Sequence, residues 1–255
     1  MADILRQEFY KVWHKRSTVY TPLVIFVLMG IVGAMTIHSS DARFYISAGF
    51  AGFQWAMIML IVIAANTISS EFEYGTIKHL IVQGNGRTLV FLAKFLVIGA
   101  YDIYLHGLVF GLTLILKPLI YGRRFAFNQN YLYGQSLMTN LVTETLVDLL
   151  GSLIIIGMIV MLACVSKTSA VAIATGIVVC FVGQGVSELL LKAAGSLSVI
   201  LKWNPFNMLF LSNEWSNPSY DHNTLLSLPS LIWGNVIYAL VFLVLGYEMF
   251  KHKPI

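Results

Sequence analysis

The chain has 255 residues, of which 58% are hydrophobic and 11% are charged, and its net charge is +4. A soluble domain carries about 25% charged residues, so this composition excludes a water-soluble protein and requires most of the surface to face lipid or other membrane helices. The positive charge comes without a basic cluster interleaved with aromatic residues, which excludes nucleic acid as a partner.

The N-terminal segment, residues 1–17, is polar but carries apolar residues at spacings of about three to four. Four basic residues lie among them. This pattern predicts an amphipathic helix on the inner leaflet of the membrane, with its basic face toward anionic lipid. The alternative is a short polar tail. The apolar positions are Ile4, Leu5, Phe9, Val12 and Trp13.

Membrane-spanning helices need about 20 mostly apolar residues, and six runs of the chain qualify. The first run is too long for a signal-peptide core and no small-residue cleavage site follows it, so we expect it to be retained. The sequence therefore predicts an all-α polytopic membrane protein with a single transmembrane domain over residues 1–255. Cys164 and Cys180 fall inside the runs and are expected to be small core residues, neither a disulfide nor a metal site. The predicted spans are Val19–Ile37, Ile46–Ile68, Leu89–Leu116, Leu137–Val165, Ser169–Leu190 and Ser230–Phe250.

The distribution of lysine and arginine predicts the orientation. With a cytoplasmic N-terminus, the inner segments hold ten of these residues and the outer segments hold six. An excess of positive charge marks the cytoplasmic side, so we predict that both termini are inside. The loop of residues 69–88 is then cytoplasmic and the connection of residues 192–229 is outside.

The outer connection, 192–229, contains three prolines and several apolar pieces. Structureless loops longer than about 12–15 residues are uncommon in compact proteins. We therefore expect short re-entrant helices that dip into the outer membrane surface and are supported by neighbouring protein.

The sequence lacks the motifs of the common hydrolases. QGNGRT, residues 83–88, has glycines but lacks the lysine and the spacing of a phosphate-binding loop. The chain also has no H-E-x-x-H and no G-x-S-x-G. We therefore predict that it is not an enzyme and binds neither a metal nor a cofactor of its own.

Two pairs of ionisable residues, each spaced four apart, lie inside predicted spans, where a charge normally faces protein or a water-filled cavity. Asp102 and His106 share one face of the third span, and Glu144 and Asp148 share one face of the fourth. At 1.5 Å per residue, His106 lies about 15 Å and Asp148 about 16 Å from the outer ends of their helices. We therefore predict that these two side chains approach each other.

The role of this polar group stays open between two interpretations. It is either structural, holding helices together, or a path for protons or substrate, and the structural role is favoured. Glu144 lies close enough to the outer surface to meet Lys117, Arg123 or Arg124, a contact that is also structural by default.

Glycines on two spans indicate close packing. Gly107 and Gly111 match the G-x-x-x-G pattern of helix contacts. Gly176, Gly183 and Gly185 on the fifth span predict a helix contact or a subunit interface, and packing within the chain is favoured.

The cytoplasmic loop SSEFEYGTIKHLIVQGNGRT, residues 69–88, is a charged island between apolar spans. Acidic residues near its start and basic residues further on fit the dipole of a helix, and Gly84-Asn85-Gly86 ends it as a turn. Its apolar positions predict a face that docks onto another protein. The alternative is a charged loop that only solvates the membrane exit, which leaves those apolar positions unexplained. They are Phe72, Ile77, Leu80 and Ile81.

This loop, together with the whole-chain layout, resembles the permeases of the type-2 ABC exporter family, in particular the small peptide-antibiotic and lantibiotic efflux and immunity permeases. Members carry a glutamate at the end of the second span, a following Gly-Thr, a short amphipathic stretch, a basic residue and a lysine opening the third span. The N-terminal interfacial helix, the six spans and the outer loop with its WNPF motif also match. In this sequence the local motif corresponds to Glu71, Gly75–Thr76, Ile77–Val82, Arg87 and Lys94.

The resemblance implies a cytoplasmic coupling helix that docks into a separate ABC ATPase subunit. Two permease subunits, of the same or related chains, would pair above two ATPases in the plasma membrane, and the ATPases would bind ATP and Mg. The coupling residues would be Glu71, Phe72, Glu73, Gly75, Thr76, Ile77, Lys78, Leu80 and Arg87.

The resemblance also places the transport pathway between the two permease subunits, at the second and fifth spans of the pair, with the re-entrant helices closing its outer side. Aromatic and methionine side chains there would suit an amphipathic substrate such as a peptide antibiotic, a drug or a lipid-like molecule. The candidate lining residues are Trp55, Met57, Met59 and Gln184.

Two other classes of function remain open. An ion-coupled secondary transporter would use Asp102, His106, Glu144 and Asp148 as a proton relay, and its transport would collapse with the proton gradient. A membrane scaffold would need a partner but no turnover. Co-purification with an ATPase and substrate-stimulated ATP hydrolysis separate the exporter from both.

Overall fold

The computed structural model describes residues 2–77, 86–217 and 220–253. The structure is 84% helical and has no strand in the part of the chain described. The α-helices of these ranges are α1 (Ala2–Trp13), α2 (Arg16–Met35), α3 (Ala42–Ser47), α4 (Gly52–Glu73), α5 (Arg87–Tyr121), α6 (Leu137–Val165), α7 (Ser169–Ala193), α8 (Ser198–Leu201), α9 (Leu211–Ser216), α10 (Asp221–Thr224) and α11 (Leu228–His252).

Six helices of the described ranges, α2, α4, α5, α6, α7 and α11, are long and apolar enough to cross a membrane. The predicted all-α fold with six helices long and apolar enough to cross a membrane is therefore confirmed for the described residues, and the topology stays a prediction. The fourth span has the predicted bounds, Leu137–Val165. The third is longer than predicted, because α5 continues through Pro118 to Tyr121.

The second span begins later than predicted because the helix is interrupted before it. Gly49, Phe50 and Ala51 all have left-handed backbone angles, with φ of 60°, 51° and 59°. This conformation is unfavourable for residues with a side chain, but glycines allow the backbone here to pack closely. A Cβ added at Gly52 would lie 2.7 Å from Val109 Cγ1. The apolar run predicted as one helix, Ile46–Ile68, is therefore divided between α3 and α4.

The core is built around α4, which packs against α5, α6 and α7, while α11 lies along α6. More than half of the most apolar part of α4 is buried, against less than a third of α2, α7 and α11. The weakly buried helices leave large apolar side chains exposed, as expected for helices that face lipid.

The glycines that permit close helix packing are only partly those that the sequence indicates. A Cβ added at Gly157 would lie 3.0 Å from the Ala239 carbonyl oxygen, so Gly157 lets α6 approach α11. Gly176 contacts Ile159 and is a contact within the chain, as the favoured interpretation predicts. Nothing in the described part of the chain lies within 4 Å of a Cβ added at Gly107 or Gly111, so this pair makes no close helix contact within it.

Both chain termini lie at the same end of the helix bundle, called the terminal end below. Glu8 of α1 bonds to Lys94 near the start of α5. Arg87 donates hydrogen bonds to the carbonyl oxygens of Lys251 and Lys253 at the end of α11. That the terminal end faces the cytoplasm stays a prediction.

The connection between α7 and α11 lies at the opposite end and forms a packed cap of short helices, here called the cap (residues 195–217 and 220–227). Asn207 is fully buried and its Nδ2 donates to the Lys202 and Thr224 carbonyl oxygens, at 2.7 and 2.8 Å. Gly183 of α7 makes room for the ring of Phe206. The sequence thus predicts the short helices of this segment, and their insertion into the membrane stays a prediction.

Candidate functional site

A polar cluster lies in the interior of the bundle between α5 and α6. His106 Nε2 lies 3.0 Å from Asp148 Oδ2, which confirms the predicted approach of these side chains. His106 Nδ1 forms a hydrogen bond with the Asp102 backbone carbonyl oxygen at 2.9 Å and lies 3.1 Å from Asp102 Oδ1. The Ser152 hydroxyl donates to Asp102 Oδ2 at 2.5 Å. The imidazole therefore lies between the carboxylates of Asp102 and Asp148, and the ring of Phe53 stacks on it.

The acidic residues of α6 also hold the cap. The Ser212 hydroxyl donates to Asp148 Oδ1 at 2.7 Å, and the Ser216 hydroxyl donates to Glu144 Oε2 at 2.8 Å. Because both acids and both serines are four residues apart, one face of α6 matches one face of α9 in antiparallel register. The position of the cap is thus linked to the polar cluster.

Glu144 does not have the partners that its depth predicts. The side chain is 6% exposed, and it forms no ion pair with a described residue. Lys117 instead donates to the Gly122 carbonyl oxygen and lies over the ring of Phe127. Arg124 lies over Phe125. The expected contact of Glu144 with the basic residues at the end of α5 is therefore wrong, since those residues are held by their own loop.

The polar cluster forms one wall of a partly open cavity of about 450 Å³. The cavity lies between α4, α6, α7 and the cap, and its other walls are mostly apolar and aromatic. Met57 and Gln184 line it, and Gln184 Nε2 donates to the Leu209 carbonyl oxygen at 2.9 Å. Trp55 and Met59 are not among its lining residues. That these four residues line a transport pathway stays a prediction. Its lining includes Phe44, Tyr45, Phe53, Gln54, Leu60, His106, Glu144, Asp148, Ser152, Phe181, Leu209, Ser212, Ser216 and Tyr220.

This arrangement can hold charge and pass protons, but it is not a Ser-His hydrolytic site. In the described part of the chain, both ring nitrogens of His106 face aspartate oxygen atoms and no serine hydroxyl bonds to the ring. A histidine between two carboxylates can exchange a proton with either of them.

A second charged cluster, here called the ion-pair cluster, lies at the terminal end and joins α1, α4 and α5. Lys94 is 1% exposed, and its Nζ lies 2.9 Å from Glu8 Oε2 and 2.9 Å from Glu71 Oε1. Lys11, which is half-exposed, lies 2.7 Å from Glu8 Oε1 and 2.8 Å from Glu71 Oε1. Two acidic and two basic side chains thus alternate and balance each other.

The ion-pair cluster determines the titration of its members outside the spans. Burial raises the pKa of Glu8, but the charge of Lys94 and hydrogen bonds from Lys11 and Lys94 outweigh it and lower the pKa below the ordinary 4.5. Burial lowers the pKa of Lys11, but hydrogen bonds to Glu71 and Glu8 outweigh that effect and raise it above the ordinary 10.5. Both groups are therefore charged around neutral pH.

The predicted coupling residues are more deeply integrated in the fold than expected. Glu71 and Glu73 do not begin a separate helix but form the last turn of α4. Glu73 Oε2 accepts from the backbone N–H and hydroxyl of Ser169 at the start of α7, both at 2.8 Å. Arg87, as described above, bonds to the last carbonyl groups of α11, so two of these polar residues hold helix ends together.

The two apolar coupling residues within the described ranges differ in how far the chain covers them. Ile77 is 2% exposed, so the expected partly exposed face is wrong for this residue. Phe72 packs against Phe250 with Lys253 over its ring and is only partly buried, so its part in a docking face stays a prediction. Lys78 and Leu80, and likewise His79 and Ile81, lie outside the described residues.

Among the described residues, the predicted coupling site is exposed at Glu73 and in the turn after α4, here called the α4 turn (Tyr74, Gly75 and Thr76). Tyr74 is 75% exposed, and Thr76 is also exposed. Gly75 has φ of 66°, in the left-handed region that glycine adopts without strain.

Sequence reasoning missed several members of these sites. Glu8 and Lys11 complete the ion-pair cluster, and their spacing of three on a predicted helix was an available signal. The serines Ser152, Ser212 and Ser216 carried no signal, because serine is common in membrane helices and loops and only tertiary packing places these three on carboxylates.

The fold and these sites define an α-helical, multi-pass membrane protein with a polar cavity at one end and an ion-pair cluster at the other. Residues 7–255 match the family described as "Protein of unknown function (DUF2705)", and the chain belongs to this family.

Two similar proteins come from Bacillus subtilis (strain 168). "Uncharacterized protein YhcI" is 21% identical over 209 residues, which cover 78% of this chain and 64% of the relative. This chain therefore spans somewhat less than two thirds of that relative's length. "Uncharacterized membrane protein YdbK" is 25% identical over 205 residues, which cover 77% of this chain and 76% of the relative. The second name agrees with the membrane character of the fold.

Proposed function

We propose that this chain is the transmembrane permease subunit of an ATP-driven ABC exporter, which moves an amphipathic substrate by using a separate ATPase subunit. The observation that carries the proposal is that one helix, α5, belongs to both charged sites. Its residue Lys94 lies in the ion-pair cluster, and its residues Asp102 and His106 lie in the polar cluster beside the cavity. A movement imposed at the terminal end thereby reaches the cavity through a rigid element.

The remaining parts of the proposal follow from the resemblance stated above. The terminal end faces the cytoplasm, α1 lies on the inner surface of the plasma membrane, and the cap closes the outer side of the pathway. Two permease subunits, identical or related, assemble with two ATPase subunits, which bind ATP and Mg. The chain itself needs no cofactor and catalyses no reaction.

The ATPase docks, in this proposal, on the α4 turn and the adjoining residues 78–85. Tyr74 supplies an exposed aromatic side chain of the kind that is enriched at protein interfaces. The ion-pair cluster then ties the last turn of α4 to α1 and α5, so that a force on the docked loop moves three helices together.

Co-purification with an ATPase tests this proposal. The tagged chain is isolated from its native host in mild detergent, and an ABC ATPase is sought by mass spectrometry. Thr76→Arg should reduce the yield of ATPase, because a bulky charge on the α4 turn obstructs docking. Asn128→Arg, the same change at an exposed position of the opposite end, is the matched control.

Recovery of the chain without an ATPase, or equal recovery in Thr76→Arg and Asn128→Arg, would contradict the proposal. Glu71 and Gly75 are weaker probes than the sequence indicates. Glu71 belongs to the buried ion-pair cluster and Gly75 has a left-handed backbone, so replacing either one also perturbs the fold. Stimulation of ATP hydrolysis by a transported substrate then distinguishes an exporter from a scaffold.

A second candidate function, an ion-coupled secondary transporter, is favoured by one specific observation. His106 lies between two carboxylates beside the cavity, an arrangement that can carry protons during transport. This candidate predicts that the chain alone, in proteoliposomes, transports a substrate when a proton gradient is imposed. Transport that requires ATP and an ATPase and survives a proton ionophore would exclude it.

A further inference from the structure

The cavity combines buried negative charge with the absence of lysine and arginine from its described walls. Glu144 and Asp148 both line it, and the lining includes no lysine or arginine among the described residues. His106 is the one basic group on these walls, and it already lies between Asp102 and Asp148. Whether or not His106 is protonated, the wall therefore carries net negative charge when the carboxylates are ionised.

The excess negative charge is located mainly at Glu144. The side chain is 6% exposed and faces the cavity, its Oε2 accepts from Ser216, and no described residue pairs with its charge. An ionised carboxylate that is buried without a countercharge is unfavourable by several kcal/mol or more, so such a group holds a proton unless a cation lies beside it. A cation that enters the cavity would relieve this cost, whereas an anion would increase it.

The remaining walls of the cavity indicate that its ligand also has an apolar body. They present the aromatic residues Phe44, Tyr45, Phe181 and Tyr220 together with Met57. Such a surface binds an apolar body through burial, and aromatic faces attract cations. The volume of about 450 Å³ is in the range of small-molecule sites.

We propose that this cavity binds a monovalent organic cation with an apolar body, with Glu144 and Asp148 as its counter-ions. This inference deepens the proposed function and rests on it in one respect, since the bound cation is the transported cargo. The carboxylates of α6 attract the positive charge of the ligand. The apolar walls that α3, α4, α7 and the cap form bind its apolar body.

Tetraphenylphosphonium and tetraphenylborate form a matched pair of probes, because they have the same shape and opposite charges. Binding of each labelled ion to the purified chain in detergent is measured by equilibrium dialysis, without an ATPase. Saturable binding of tetraphenylphosphonium at least about tenfold tighter than that of tetraphenylborate is expected, since one unpaired charge at several ångströms in a partly desolvated site exceeds this factor. Equal binding of both ions would show partition into apolar surface and overturn the proposal.

Three variants locate the site. Glu144→Gln should weaken tetraphenylphosphonium binding by about tenfold. Glu248→Gln removes the same charge from an exposed side chain at the terminal end, and should bind like the wild type. If Glu144→Gln and Glu248→Gln bind tetraphenylphosphonium equally well, the proposal is overturned, because Glu144 is then protonated and needs no counter-ion. Gln54→Lys places a cation on the cavity wall at an exposed position, so it tests the site even if Glu144→Gln does not fold.

Gln54→Lys should weaken tetraphenylphosphonium binding and Gln54→Glu should strengthen it, and the absence of both effects would overturn the proposal. The result is independent of the proposed function. If the chain binds tetraphenylphosphonium but no ATPase co-purifies with it, the cation site is supported and the exporter is contradicted. If an ATPase co-purifies but the chain does not distinguish the two ions, the exporter is supported and the cation site is contradicted.

Discussion

Replacing Lys94 by methionine tests whether the ion-pair cluster holds the terminal end together. Lys94 is 1% exposed and pairs with Glu8 and Glu71, which are 2% and 6% exposed. Methionine keeps much of the volume but removes the charge, and leaves two buried carboxylates with Lys11 as their remaining partner in the cluster. Removing one partner of a buried ion pair costs about 3–5 kcal/mol. Because Lys11 still contacts both acids, we expect the lower end, about 3 kcal/mol.

The free energy of unfolding is measured by SDS titration in mixed micelles, with tryptophan fluorescence as the signal. Lys192→Met is the matched control, since Lys192 is 66% exposed and its pair with Glu188 should contribute at most about 1 kcal/mol. The double variant Lys94→Met/Glu71→Gln removes one charge of each sign and should recover part of the loss. A loss below about 0.5 kcal/mol in Lys94→Met, or a double variant as unstable as the sum of the single ones, would refute the reasoning.

Four further predictions use the same measurement. Gly157→Ala should cost about 1–3 kcal/mol, because its Cβ would press on the backbone of α11. Gly107→Ala should be neutral or stabilising by up to about 1 kcal/mol, since nothing lies within 4 Å of its Cβ. Asn207→Ala should cost about 1–3 kcal/mol by leaving two buried carbonyl groups unpaired, and an unchanged midpoint would count against the packed cap. The folded chain lowers the pKa of Glu8, so ionised Glu8 contributes to the free energy of unfolding above pH 4.5, and this contribution is lost as the pH falls through the folded pKa. The difference in free energy of unfolding between wild type and Glu8→Gln should therefore narrow from about pH 7 to about pH 3. A difference that stays constant over this range would contradict the prediction.

The sequence predicts the spans well because their signal is local. Length and hydropathy alone give six apolar runs, and the fourth has the observed bounds. The break at residues 49–51 could not be predicted, because apolar residues there continue the run without interruption. Its left-handed backbone depends on how closely Gly49 and Gly52 approach α2 and α5, which is a tertiary property.

The contact between His106 and Asp148 in the polar cluster could be predicted from helix geometry. Residues four apart on a straight helix share a face, and depth along two antiparallel helices places His106 level with Asp148. The partners of Glu144 were not predictable in this way. Ser216 comes from a segment whose path is irregular, and the loop after α5 holds Lys117 through Gly122 and Phe127.

The terminal end shows why an amphipathic pattern alone does not identify a docking face. Periodicity indicates that Phe72 and Ile77 belong to an apolar face, but it does not indicate what covers that face. In the structure α11 partly covers Phe72, and Tyr74 and Thr76 are exposed. The predicted loop therefore stays the candidate contact for a partner, in part through different side chains.

The two charged sites also differ in balance, and this difference has a functional meaning. The ion-pair cluster has as many cations as anions and each has a partner, as expected for a structural joint. The polar cluster has an excess of acidic groups, and one of them, Glu144, lacks a countercharge among the described residues. A chain that balances its buried charges at one end and leaves a carboxylate unpaired beside a cavity at the other has retained an unfavourable group where a ligand can enter. In the exporter proposed above, the ion-pair cluster transmits movement, the cavity receives the ligand, and α5 connects the two sites.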